Sequence, residues 1–79
     1  MNMEYYKSRY TEIEKTLKHR ISCIDGIFDN NGTRFKLCHL EGIKGCVCHY
    51  EDTLDDGDVF YYDDYNDEEI IELIIKEAI

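Results

Sequence analysis

Residues 21–40 have the sequence ISCIDGIFDNNGTRFKLCHL, which contains the clearest local signal for a β-sheet in this chain. Asn31-Gly32 lies between two runs that are rich in aromatic and aliphatic residues, which is a strong signal for a two-residue type I′ hairpin. The apolar pattern here has a period of two, as in a strand with one buried face. It predicts antiparallel strands near residues 21–29 and 34–40.

The register of this hairpin follows from its loop. If Asn31 and Gly32 form the loop, Asp29 faces Arg34 and Phe28 faces Phe35. A charge pair and an aromatic pair then support the same alignment.

A second hairpin is expected further along the chain. Residues 42–45, GIKG, are typical of a turn, and residues 46–51 would return along the first hairpin. We expect Leu40 to pair with Val47. Residues 52–58 contain one apolar side chain and read as a loop, and a short strand at residues 59–62 follows it.

Helical periodicity marks the beginning of the chain. Apolar and aromatic residues recur every three or four positions and predict a helix over residues 3–19. Asn2 is a candidate N-cap, although Thr11 with Glu14 also fits a capping box and would start the helix later. Glu14 and Lys18 lie one turn apart on the exposed side. The apolar stripe consists of Met3, Tyr6, Tyr10, Ile13 and Leu17.

The last element is a second helix. Asn66 is the predicted N-cap, and three acidic residues follow it in the first turn, where the helix dipole favours them. Tyr65 and Ile70 have the spacing of a hydrophobic staple. The apolar series is dense enough to predict a helix that lies deep against the sheet: Ile70, Ile71, Leu73, Ile74, Ile75 and Ala78.

Size and composition limit the class of protein. With 79 residues the chain holds a single domain, residues 1–79, with little volume for an enclosed substrate pocket. We expect an α+β fold with an N-terminal helix, a three- to four-stranded antiparallel sheet and a C-terminal helix packed on the sheet. No signal peptide or transmembrane run is apparent, so a cytoplasmic protein with four free thiols is expected.

Charge is distributed unevenly along the chain. Residues 1–50 carry eight Lys/Arg and six Asp/Glu, whereas residues 51–79 carry one lysine and twelve acids. Such asymmetry indicates a charged interaction surface. Nucleic acid and anionic membranes repel an acidic protein, so its expected partners are basic surfaces.

Several cysteines and histidines could form a metal site. Cys and neutral His are the usual zinc ligands, and the candidates are Cys38, His39, Cys46, Cys48 and His49. However, the predicted pairing puts His39 and Cys48 on one face and Cys38 and His49 on the other. A nucleophilic pair of His39 with Cys46 or Cys48 lacks an orienting group, and we expect no enzyme, metal or cofactor.

Calcium is a further possibility. Asp52, Asp56, Gly57 and Asp63 match positions of the EF-hand loop, but Leu54 occupies a ligand position. A solvated acidic loop explains these residues equally well.

Residues 51–69, EDTLDDGDVFYYDDYNDEE, contain ten carboxylates, three tyrosines and no basic residue. Carboxylates on alternate positions of a strand repeat at about 6.6 Å, comparable to the spacing of phosphates. Tyrosines between them add contact area and receive arginine side chains. Because like charges this dense cost stability, we expect a partner to neutralise them. The predicted partner-binding residues are Asp52, Asp55, Asp56, Asp58, Tyr61, Tyr62, Asp63, Asp64, Tyr65, Asp67, Glu68 and Glu69.

In size, element order and this Asp/Glu/Tyr stretch, the chain resembles the small acidic proteins with which phages inhibit host nucleases, the nucleic-acid-mimicking anti-CRISPR and anti-restriction proteins. The resemblance implies a site that replaces the DNA backbone bound by an effector. It would be formed by Asp55, Asp56, Asp58, Asp63, Asp64 and Glu68.

The resulting hypothesis is a protein that inhibits a nuclease or CRISPR effector by occluding its basic groove, without binding nucleic acid itself. Three alternatives remain: an immunity protein or antitoxin that neutralises one toxin, a Cys/His metal-binding regulatory module, and a domain whose acidic run is a solvated face that only keeps it soluble. The apolar last helix is compatible with a monomer or with a homodimer.

Overall fold

The computed structural model describes residues 3–39, 42, 44–50 and 57–77, except for the side chains of residues 3 and 77. This part of the chain forms two helices and a five-stranded antiparallel sheet, an α+β fold as predicted. The elements are α1 (Met3–Arg20), β1 (Ser22–Ile24), β2 (Ile27–Asn30), β3 (Thr33–His39), β4 (Gly45–Tyr50), β5 (Asp58–Tyr61) and α2 (Asp67–Glu77). The strand order is β1-β2-β3-β4-β5, so each strand pairs with the next one along the chain.

The β2–β3 hairpin has the predicted register. Asp29 pairs with Arg34 and Phe28 with Phe35, and the two phenylalanine rings stack with centroids 5.2 Å apart. Asn31 has a φ of 55° and Gly32 a φ of 97°, as a type I′ loop requires.

The predicted strand over residues 21–29 is in fact two strands joined by a tight turn. Ile24 pairs with Ile27, and Asp25 and Gly26 between them have φ values of 55° and 80°. Asp-Gly is itself a signal for a type I′ turn. The sequence prediction overlooked it because the apolar residues on both sides were treated as one continuous strand. This turn adds a strand to the predicted three or four.

The β3–β4 register differs from the expected one by two residues. Val47 pairs with Cys38, not with Leu40, and His39 pairs with Cys46. Because a shift of two residues preserves the face of every side chain, the predicted division of cysteines and histidines between the two faces is confirmed.

The first helix begins at Met3 and ends at Arg20, so it does not start at Thr11. The Thr11 hydroxyl instead donates to the carbonyl of Lys7 at 3.0 Å, inside the helix. Lys18 and Glu14 form the expected ion pair at 3.8 Å. The other candidate cap, Asn2, lies outside the described residues.

Both helices contribute to one core. The stripe of α1 and the centre of α2 join one face of the sheet in a cluster of buried side chains: Tyr6, Ile13, Leu17, Phe28, Phe35, Leu37, Cys46, Cys48, Phe60, Tyr62, Ile70, Ile71 and Ile74. Ile70 and Ile74 are fully buried, which confirms that the middle of α2 lies deep. The amide of buried Asn30 donates to the Ile75 carbonyl at 3.1 Å and so connects the sheet to the last turns of α2.

Candidate acidic interface

The acidic turn, defined as residues 62–69, connects the edge strand β5 to the first turn of α2. The Tyr62 amide donates to the Lys44 carbonyl at 2.8 Å, which continues the pairing beyond β5. The Asp64 amide donates to the Tyr61 carbonyl at 3.1 Å. The second of these bonds closes a turn immediately after the strand.

A reciprocal capping box starts α2. The Glu69 amide donates to Asn66 Oδ1 at 2.8 Å, and the Asn66 amide donates to Glu69 Oε1 at 3.0 Å. Asn66 is therefore the N-cap, as predicted. Glu69 remains exposed, but one of its carboxylate oxygens already has a partner.

The predicted partner-binding residues occupy different environments. Asp58, Asp63, Asp64, Glu68 and Glu69 are exposed. Tyr65 is 39% exposed beside α2, and Tyr61 is 48% exposed. Asp67 is half-buried. The other three predicted aspartates, Asp52, Asp55 and Asp56, lie outside the described residues.

Tyr62 does not offer contact area to a partner, which corrects the prediction. Its side chain is only 2% exposed, and its ring stacks on Tyr6 with centroids 5.6 Å apart. The Tyr62 hydroxyl shares a hydrogen bond of 3.0 Å with Nδ1 of His39. Burial raises the pKa of Tyr62, so the hydroxyl stays neutral. Alternation along β5 explains the difference, because Phe60 and Tyr62 turn inward while Tyr61 turns outward.

Arg9 of α1 lies at the centre of the acidic turn. Its Nε donates to Asp67 Oδ1 at 2.7 Å. One terminal nitrogen donates to the Tyr62 carbonyl at 2.7 Å, and the other donates to the Tyr65 carbonyl at 2.8 Å. The guanidinium carbon lies 5.1 Å from the centroid of the Tyr62 ring and 5.8 Å from that of Tyr5. We call these three acceptors and two rings the arginine cradle.

The cradle changes the charge balance of the acidic run. Burial lowers the pKa of Arg9, but the hydrogen bond and charge of Asp67 outweigh it and the net shift is upward. Asp67 is thus partly neutralised within the chain. Glu72 similarly pairs with Arg20 at 2.6 Å. The chain itself therefore supplies a positively charged partner for Asp67.

Other carboxylates of the turn face solvent. Asp63 accepts a long hydrogen bond of 3.3 Å from the Tyr6 hydroxyl. The side-chain carboxylates of Asp64 and Glu68 form no hydrogen bond or ion pair with the described residues. These carboxylates line an open depression of about 750 Å³ whose lining also includes Tyr5 and Arg9. On the other side of the turn, Asp63 and Asp64 share a second depression with Tyr61 and Lys44.

The cysteines and histidines do not come together. His39 and Cys46 face the helices, whereas Cys38 and His49 lie on the opposite face of the sheet. No group of three or more His, Cys, Asp or Glu side chains that could hold a metal ion occurs in the described ranges. Burial raises the pKa of the Cys46 thiol to about 12, the reverse of what an activated nucleophile requires.

Of the four EF-hand candidates, Asp52 and Asp56 lie outside the described residues, whereas Gly57 and Asp63 lie within them. Strand β5 occupies residues 58–61 of the proposed loop, as expected from its extended pattern, and Asp63 accepts its hydrogen bond from Tyr6. The described part of the proposed EF-hand loop, from residue 57 onward, therefore forms a strand followed by a turn.

Two residues of the site, Tyr5 and Arg9, lie outside the acidic run. They are one helical turn apart on α1, a spacing at which their side chains meet. This Tyr/Arg spacing could have indicated a cation–π pair, but it does not identify Asp67 as the partner, because Arg9 and Asp67 are 58 residues apart.

No protein-family model, curated protein or solved structure matches this chain. Neither helix in the described part is long and apolar enough to cross a membrane.

Proposed function

We propose that this protein binds a basic, nucleic-acid-binding surface of another protein and inhibits it by occupying that surface. The observation that carries the proposal is the pair of exposed carboxylates, Asp64 and Glu68, that have no partner among the described residues. The proposed target is a nuclease or a CRISPR effector. Action in the cytoplasm is part of the proposal, and it is supported by four cysteines that are all free.

The arrangement of the turn supports an interface. Exposed Tyr61 and Tyr65 lie on either side of the solvent-facing carboxylates. Tyrosine loses little conformational entropy on binding and offers both apolar area and a polar tip, so it is common at interfaces. A tyrosine ring beside a solvent-facing carboxylate can stack on an arginine of the partner while the carboxylate pairs with the guanidinium of the same arginine.

Inhibition would be competitive with nucleic acid. The carboxylates attract the lysines and arginines that otherwise bind phosphates, and the folded domain then blocks access to the groove. Screening at high ionic strength shortens the reach of this attraction from about 10 Å at 0.1 M salt to about 3 Å at 1 M. Salt and competing DNA should both release the partner.

A pull-down followed by a charge-neutralising pair tests the proposal. The tagged protein is used to capture candidate nucleases from bacterial lysates, and the affinity of each captured nuclease is measured. Asp64→Asn with Glu68→Gln should weaken binding about tenfold at low salt, since each exposed charge contributes up to about 1 kcal/mol. The affected nuclease should also regain its cleavage activity.

The matched control is Glu12→Gln with Asp25→Asn. It removes the same charge from exposed positions outside the acidic turn, and asparagine tolerates the positive φ of residue 25. The control should leave affinity unchanged. Equal affinity of both double variants for every captured nuclease, or binding that excess duplex DNA does not compete, contradicts the proposal.

A further inference from the structure

The arginine cradle is built for a guanidinium group. Its three acceptors, Asp67 Oδ1 and the carbonyls of Tyr62 and Tyr65, each receive a different nitrogen of Arg9. A planar guanidinium presents donors in such a fixed fork, whereas an ammonium is a compact point charge that cannot reach all three. The Arg9 side chain is 14% exposed, so the group is held inside the surface rather than resting on it.

Two of these acceptors flank part of the proposed interface in the chain. The carbonyls of Tyr62 and Tyr65 bracket Asp63 and Asp64 in the chain, and Asp67 is the first residue of α2. The guanidinium therefore connects both ends of the segment that carries Asp63 and Asp64 to a third element, α1. If the Arg9 guanidinium were removed, the capping box would still hold the α2 side of the turn. The β5 side would still keep its backbone hydrogen bonds.

We propose that the cradle is a guanidinium-binding site that the chain fills with its own Arg9, and that Arg9 is the positioning residue of the acidic interface. The cradle part stands on geometry alone. The interface part rests on the proposed function, because it concerns how the acidic turn presents Asp64 to a partner.

Arg20 provides an internal comparison. It is also an arginine of α1 that bonds to a carboxylate of α2, but it is 43% exposed, and its side chain bonds to Glu72 alone within the described ranges. A purely electrostatic role predicts similar behaviour of Arg9→Ala and Arg20→Ala. A guanidinium site predicts that the two variants differ.

Chemical rescue tests the cradle. Arg9→Ala removes the side chain beyond Cβ, and added ethylguanidinium replaces the missing atoms. We expect the amide NMR signals of residues 62–69 to shift in Arg9→Ala and to return toward their wild-type positions with a dissociation constant on the order of 10 mM. Propylammonium should not restore them, Arg9→Lys should resemble Arg9→Ala, and Arg20→Ala should show no rescue of these signals.

The wild-type protein gives a second measurement that does not depend on the variant folding. The Nε–H of Arg9 should exchange with solvent at least tenfold more slowly than that of Arg20, since Arg9 is the more buried and more fully bonded group. Equal exchange rates, or absence of ethylguanidinium-specific rescue in folded Arg9→Ala, would overturn the cradle.

Partner binding tests the positioning role separately. For a nuclease whose binding depends on Asp64 and Glu68, Arg9→Ala should lose affinity at least fivefold, and ethylguanidinium should restore it while propylammonium does not. Unchanged affinity in an Arg9→Ala protein with shifted turn signals would overturn the positioning role. Such a result would not affect the proposed function, which is tested separately by the Asp64→Asn/Glu68→Gln variant and its control. Failure of the positioning role and failure of the proposed function can therefore be told apart.

Discussion

Replacing Gly45 by alanine places a methyl group against the backbone of the edge strand. A Cβ at this position would lie 2.6 Å from the carbonyl oxygen of Phe60 and 3.1 Å from Cα of Tyr61. Both are backbone atoms of β5, so no side-chain rotation relieves the contact. Optimal non-bonded distances are about 3.5–4.0 Å, and β5 must therefore move by roughly 1 Å.

The expected cost follows from that movement. Overpacking of this kind costs about 1–3 kcal/mol, and weakening one hydrogen bond of the pairing between β4 and β5 adds about 1 kcal/mol. We expect the free energy of unfolding to fall by about 3 kcal/mol. In a domain of this size the melting temperature should then fall by about 12–24 °C.

Gly32→Ala is the matched control. Gly32 has a φ of 97° with no atom near the position of a Cβ, so the control incurs only the left-handed backbone cost of about 1 kcal/mol. Urea unfolding followed by circular dichroism gives both free energies, and amide exchange at Tyr62 reports the loss of its bond to Lys44. A Gly45→Ala protein as stable as Gly32→Ala would refute the reasoning.

Two further predictions concern the capping box and the buried thiol. Asn66→Ala should lower the free energy of unfolding by about 1 kcal/mol in urea titrations, and Asn66→Asp should not; equal stability of the two variants would contradict the cap. The folded protein retains the Cys46 proton up to a pKa of about 12, whereas the ordinary value is 9.0. Because the unfolded chain then loses the proton first, stability should fall as pH rises above about 9, by up to about 1.4 kcal/mol per pH unit. Cys46→Ala should flatten this dependence in urea titrations at several pH values, and an unchanged dependence would show that another group is responsible.

Local sequence signals predicted much of the fold. Asn31-Gly32 defines its own hairpin because both residues adopt positive φ readily. Asn66 with Glu69 defines the start of α2 because both capping bonds lie within one turn of helix. The Asp25-Gly26 turn was missed although its signal is equally local, because the apolar residues around it resemble one continuous strand.

The β3–β4 register could not be obtained in the same way. The predicted pairing of Val47 with Leu40 and the observed pairing with Cys38 differ by two residues. Both alignments place every side chain on the same face of the sheet, so the sequence pattern does not distinguish them. The division of side chains between the faces was therefore predictable, while the alignment was not.

The acidic character of residues 51–69 and the alternation of inward and outward side chains belong to the sequence itself, since charge and period are properties of the chain. Tertiary structure alone decided which acids remain available. Arg9 reaches Asp67 across 58 residues, and this contact depends on how α1 packs beside α2. Tyr62 turns inward by the alternation that continues from β5, and the tertiary structure adds the stack of its ring on Tyr6. A contact between residues that are distant in the chain leaves no local pattern, so packing, not sequence, separates Asp67 from the exposed Asp64 and Glu68.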